Sequence, residues 1–294
     1  ITSRSSPNSR FNFGLVSNLT WGNKMKKPVL TSLAVAVLAM SALSANAADL
    51  SVTSNAIYGG GNSNGGFTVN TTNGVEVGLR VHKRYPSPSD SAADIGSNNN
   101  GTYNQAAGGF GPSSARAGWN FDWSINTDPT STGTGKVSDY TYLIGMDFDP
   151  SFGDNFQTFD LINGVNPNPA AGGLALWDHS FGNNTTAMSA GVEAAGATLA
   201  LALTDYNSLK GANNLVQNSW NFEFFDDGGL FSFDPTVNGN YKIFLQVLDS
   251  GGEVARSDIE VIVGTGFVPE PGSLALVGLA LTGLAVSRRR KLTK

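Results

Sequence analysis

The sequence predicts an all-β protein built as an antiparallel β-sandwich, and three observations carry that prediction. Apolar and polar side chains alternate at period two along much of residues 48–267. Clusters of Gly, Asn and Asp punctuate the alternating runs, and the 36 glycines supply turns in abundance. Helical periodicity is nearly absent. Period two with one apolar face describes a half-buried strand, and turn residues at its ends describe a strand that reverses.

Val75, Val77, Leu79 and Val81 alternate with Glu76, Gly78 and Arg80, which predicts the first clear strand. Trp119, Phe121, Trp123 and Ile125 predict the second, and Tyr140, Tyr142, Ile144, Met146 and Phe148 the third. Leu199, Leu201 and Leu203 alternate with Ala200 and Ala202, and Trp220, Phe222 and Phe224 with Asn221 and Glu223; both runs predict strands. Tyr241, Ile243, Leu245 and Val247 lead into an Asp249-Ser250-Gly251-Gly252 turn, after which Ile259, Val261 and Val263 close the fold. The pair spanning Asn238 to Gly264 resembles the last hairpin of immunoglobulin-like or cadherin-like extracellular modules. That resemblance implies an immunoglobulin-like sandwich, and it implies nothing about function.

Composition divides the chain further. Residues 82–118 hold Pro86, Pro88, a Ser97-Asn98-Asn99-Asn100-Gly101 run and a Gly108-Gly109-Phe110-Gly111-Pro112 cluster. Such a stretch buries little apolar surface, so it reads as a long loop or a linker. The main sandwich is therefore assigned to residues 119–267, and residues 48–118 to an N-terminal β segment with its loop or linker.

Ahead of this body lies a targeting segment. Met25-Lys26-Lys27 is a basic start, Val29 to Leu43 an apolar core, and Ala45-Asn46-Ala47 a small-residue cleavage site. Together they form a secretory signal peptide over residues 25–47, with signal peptidase acting at Ala45 and Ala47. Residues 1–24 precede the methionine without a pattern of their own and are read as an over-extended start or vector sequence.

Charge excludes whole classes of partner. Of 18 basic residues, five lie in residues 1–47 and five in residues 288–294, while 22 of the 23 acids lie between residues 48 and 267. The body thus carries 8 bases against 22 acids, a net charge of −14. A nucleic-acid partner would require a basic surface, so none is expected. The chain has no cysteine, which removes disulfides, thiol nucleophiles and cysteine-ligated metals.

Catalytic candidates are few. The two histidines are His82, at the edge of the loop-rich stretch, and His179, within Trp177-Asp178-His179-Ser180. Adjacent residues do not form a Ser-His-Asp triad, because its members must converge from separate elements. No Gly-x-Ser-x-Gly or His-Glu-x-x-His motif occurs. The chain is therefore expected not to be an enzyme, with a secreted glycoside hydrolase built on paired carboxylates as the remote alternative. No cofactor is expected, although Asp147, Asp149 and Asp154 offer oxygen ligands of the kind calcium takes. Trp177 falls outside the alternating runs and is the candidate platform for a sugar ring, the basis of a carbohydrate-binding alternative.

The last residues carry the most specific signal. Val268-Pro269-Glu270-Pro271-Gly272 is a proline-clamped acidic segment; the prolines hold φ near −65° and bias their predecessors toward extended geometry. An uncharged 13-residue run from Leu274 to Val286 follows, and then Arg288, Arg289, Arg290 and Lys291. The run is short of the ~20 residues that comfortably span a bilayer. The basic end marks the cytoplasmic side. In this order the three parts of residues 268–294 resemble the PEP-CTERM sorting signal of Gram-negative bacteria that make exopolysaccharide. The resemblance implies a C-terminal transmembrane sorting helix and an exosortase-type transpeptidase that cuts near Pro269-Glu270-Pro271. It also implies a body displayed on or released from the cell surface, with exopolysaccharide as a candidate partner. The expected function is that of a secreted, non-catalytic structural or adhesive protein.

Overall fold

The computed structural model describes residues 47–59, 62–84, 96–110, 113–151, 153–164, 176–226 and 232–266. Its strands are β1 (Ala47–Leu50), β2 (Phe67–Thr72), β3 (Val75–Lys83), β4 (Thr102–Gln105), β5 (Gly109–Phe110), β6 (Ser113–Ala117) and β7 (Trp119–Asn126). They continue with β8 (Thr141–Asp147), β9 (Phe156–Phe159) and β10 (Ser180–Gly182). One helix, α1 (Leu199–Ala212), precedes β11 (Leu215–Trp220), β12 (Gly239–Asp249) and β13 (Gly252–Val263).

Two sheets form the sandwich. The first has the order β1-β2-β3-β7-β11-β10 and the second β4-β13-β12-β8-β9, while β5 and β6 make a separate hairpin. Every pairing within the two large sheets is antiparallel except that of β13 with β4. The predicted strands at residues 75–81, 119–125, 140–148, 241–247 and 259–263 are present as β3, β7, β8, β12 and β13. Strands from both sides of residue 118 share one sheet, since β3 pairs with β7 along its whole length. Val77, Leu79, Val81, Phe121, Trp123 and Ile125 face Ile144, Ile243, Leu245 and Val261 in one continuous core. Burying such side chains stabilises the fold by about 1.5–3 kcal/mol each.

Two predicted strands are corrected. Residues 199–203 open a helix, because Leu and Ala are strong helix formers whereas strands favour β-branched and aromatic side chains. Thr198 caps the helix, its side chain accepting from Leu201 N at 3.4 Å, and Ala202 and Tyr206, one turn apart, bury the inner face. At the other site the strand ends at Trp220, and Phe222–Phe225 form a 3₁₀ turn. Asn221 causes the break. Its buried amide donates to Ala117 O and Trp119 O at 3.0 and 2.7 Å, and its oxygen accepts from Glu223 N at 3.2 Å.

The outer face of the first sheet is covered as well. Residues 51–59 and 62–66 lie across it as a strap held by polar contacts. Glu76 accepts from Thr53 N and Thr53 Oγ1, and Gln217 accepts from Ile57 N and donates to Asn55 O and Ser54 Oγ. Asn64 donates to Val52 O and Ser54 O. Glu76, Arg80, Asp122, Ser124, Asn126 and Gln217 are consequently buried, although each points away from the apolar core.

Candidate functional site

The densest cluster of titratable groups sits beneath the strap. Adjacent strands place Arg80 opposite Asp122 and His82 opposite Asn120, and Ser219 of β11 lies across from Asp122. Arg80 Nε donates to Asp122 Oδ2 at 2.6 Å, its Nη1 to Ser63 O and Gly65 O, and its Nη2 to Tyr58 Oη at 2.9 Å. The guanidinium also lies 4.5 Å from the Phe67 ring centroid. His82 Nε2 is 3.1 Å from Asp122 Oδ1 and 3.4 Å from Ser219 Oγ, while Nδ1 reaches Lys83 O at 3.0 Å. The contact between His82 and Asp122 Oδ1 is off the hydrogen-bond line, so it acts as a charge contact.

Electrostatics follow from that geometry. Burial opposes the charge on Asp122, but the neighbouring His82 and Arg80 outweigh it and hold the carboxyl well below the usual range. Burial likewise opposes a charged His82, and Asp122 outweighs it, raising the imidazole above its ordinary value. His82, Asp122 and Ser219 hold the residue types of a hydrolytic triad. The arrangement is not one, because a single ring nitrogen faces both partners while the other is tied to backbone. Sequence reading placed His82 at the edge of a loop; it is instead a positioned strand residue. The usable signal was the coincidence of Arg80, His82 and Asp122 on the polar phase of two alternating runs.

His179 occupies the opposite environment. It is 0 % exposed, its Nε2 lies 2.6 Å from Leu161 O, and its ring stacks on Trp177 at 5.4 Å and meets Trp123 edge-on at 4.8 Å. Burial pushes its pKa down to about 3, so it stays neutral at physiological pH.

Trp177 corrects the sugar-platform expectation. It is 3 % exposed, with stacked contacts to Phe159, His179 and Trp220 at 5.7, 5.4 and 5.0 Å, and its indole N–H donates to Gly164 O. With its faces covered by rings it has none to offer a sugar. The three calcium candidates serve local structure. Asp147 accepts from Asp149 N and Asn155 N, Asp149 from Ser151 N, and Asp154 pairs with Lys242. Among the described residues no group of three or more His, Cys, Asp or Glu side chains gathers as a metal site.

Most of the exposed large apolar side chains fall in one stretch of the sequence. Among the described residues, five of the seven exposed large hydrophobic side chains are Met188, Val192, Leu199, Leu201 and Leu203, with Leu201 58 % exposed. They belong to α1 and the segment leading into it.

Of the residues predicted to direct export, Ala47 opens β1 and pairs with Val69. Ala45, the Val268–Gly272 motif and the Arg288–Lys291 end lie outside the described residues, as does the predicted membrane helix. Among the described residues no helix is long and apolar enough to cross a membrane.

Fold and surface thus define a β-sandwich body that leads directly into a proline-clamped, apolar and then basic tail. Residues 267–291 match the PEP-CTERM protein-sorting motif, so the chain carries a PEP-CTERM sorting signal at its C-terminal end. The motif marks it as an exosortase-sorted protein, exported and directed to the cell surface or beyond. No curated protein and no solved structure matches the chain.

Proposed function

We propose that the body is a non-catalytic, adhesive or structural module that works at the cell surface or in the surrounding matrix after sorting. The observation that carries this reading is the exposed apolar run of Met188, Val192, Leu199, Leu201 and Leu203 on an otherwise acidic body. Large exposed apolar patches usually mark contact sites, and this segment holds most of the exposed large apolar side chains among the described residues. The histidines and the calcium-candidate carboxylates add support, because each described one is committed to structural bonds. Routing rests on the tail: export brings the chain across the inner membrane, the basic end halts it, and the transpeptidase reads Pro269-Glu270-Pro271 at the outer face.

A triple variant, Leu199→Ser with Leu201→Ser and Leu203→Ser, tests the adhesive role. These side chains are exposed, so folding should survive, and the fraction of processed protein retained on cells should drop several-fold relative to the medium. Unchanged retention with an intact fold would remove the adhesive assignment.

A further inference from the structure

The folded body runs up to the sorting motif without a spacer. β13 ends at Val263, and Val261 and Val263 are buried in the core. Beyond them Gly264 N donates to Gln105 O at 2.8 Å and Gly266 N to Val263 O at 3.0 Å. Gly264 and Gly266 adopt φ of +63° and +67°, and each packs too closely on an Asn side chain, Asn238 and Asn240 respectively, to admit a Cβ. Ordered backbone therefore extends through Gly266, and the matched motif begins at residue 267. Phe267 and Val268 alone separate Gly266 from Pro269.

Magnitudes decide what this spacing requires. Three residue steps, fully extended, reach about 11 Å. A compact body of roughly 220 residues has a radius of gyration of about 17 Å. An enzyme that grips the chain at Pro269-Glu270-Pro271 must come closer to the body than the body's own radius. Contact is then unavoidable unless the end of β13 detaches. Detachment would expose Val261 and Val263 and break the pairings of Gly239 with Val263 and of Tyr241 with Val261.

We infer that the pole of the sandwich surrounding Gly264 is the surface that meets the membrane-embedded transpeptidase during sorting, and that this contact limits the rate of tail removal. Ala107, Pro150 and Asn238 build that pole: Ala107 and Asn238 border Gly264, Pro150 packs against Gly239, and Gly108 N donates to Pro235 O at 2.7 Å. The turn at Asp249–Gly252 lies at the far end of the β12–β13 hairpin and points away from the enzyme. The inference rests on the sorting reading of the tail.

Insertion of 6, 12 or 24 Gly/Ser residues between Gly266 and Phe267 tests it, in the full chain and in cells that contain the sorting enzyme. Twelve such residues span about 19 Å on average, comparable with the body's radius. Tail loss, followed by pulse-chase and intact mass, should quicken at least threefold by the 12-residue insertion and level off beyond it. Equal half-times at every length would overturn the contact. Absence of tail loss even in the unaltered, exported chain would instead remove the sorting reading, and this inference with it. An Asn240→Cys/Ile262→Cys cross-link between facing β12 and β13 positions separates contact from detachment. Processing at the unaltered rate agrees with contact at the pole; loss of processing would mean that β13 has to open, contrary to the inference.

Discussion

The two faces of the six-stranded sheet are both buried, but by opposite means. The inner face holds Val77, Leu79, Phe121 and Trp123 against the second sheet, and apolar area alone accounts for its stability. The outer face holds Glu76, Arg80, Asp122 and Gln217 beneath the strap of residues 51–59 and 62–66, where each polar side chain is matched to a partner. Burying a charge is tolerable only when it is paired and hydrogen-bonded. A single loss on the outer face leaves a buried charge or donor without its partner, whereas truncation on the inner face leaves a cavity around which the core only partly relaxes.

Each of the following substitutions sharpens or breaks that contrast, from the largest expected effect downward. Asp122→Ala leaves the Arg80 guanidinium buried without its carboxylate and should cost about 3–5 kcal/mol in denaturant unfolding. A cost within about 0.5 kcal/mol, typical of a surface site, would show that the outer face is not held by charge. The histidines divide the contrast by pH. His179 is neutral in the fold with a pKa near 3, while the unfolded chain takes up its proton near 6.5, so stability is lost as pH falls from 6.5 toward 3. The full loss is on the order of 5 kcal/mol, and the His179→Phe variant should lack that part of the acid sensitivity.

His82 acts in the other direction. Its raised value in the fold means that its stabilisation is complete below about pH 6.5 and disappears as pH rises through the folded-state value. Being partly exposed, it should contribute less than His179 does, and His82→Gln should flatten the alkaline side of the stability profile. A profile that instead rises between pH 7 and 9 in the wild type, and not in His82→Gln, would reverse the assignment. The smallest effect is expected at Thr198→Ala, which removes a long capping bond from α1 and should cost about 0.5 kcal/mol, at the low end for such caps.

The same contrast explains what was legible in the sequence. Alternation reports a face that is buried against apolar atoms, so β3, β7, β8, β12 and β13 could be read directly. It is silent on a second cover laid over the polar phase, which is why alternation alone did not report the burial of Arg80 and Asp122. Alternation misled at Leu199-Ala200-Leu201-Ala202-Leu203, where residue propensity and the Thr198 cap overrode the pattern. Trp177 lay outside the alternating runs and was therefore taken for a surface residue, although rings from distant positions, Phe159 and Trp220, enclose it. The tail was legible because its information is local: prolines, an apolar run and a basic end act in linear order and require no tertiary partner.

The measurement closest to the central claim is the intact mass of the protein from cells and from medium, for the wild type and for Pro269→Ala/Pro271→Ala. The account predicts that the exported wild-type chain loses its tail near Pro269 while the variant is exported and keeps it. A variant processed like the wild type, or a wild-type body that keeps the whole tail, would contradict sorting through this motif.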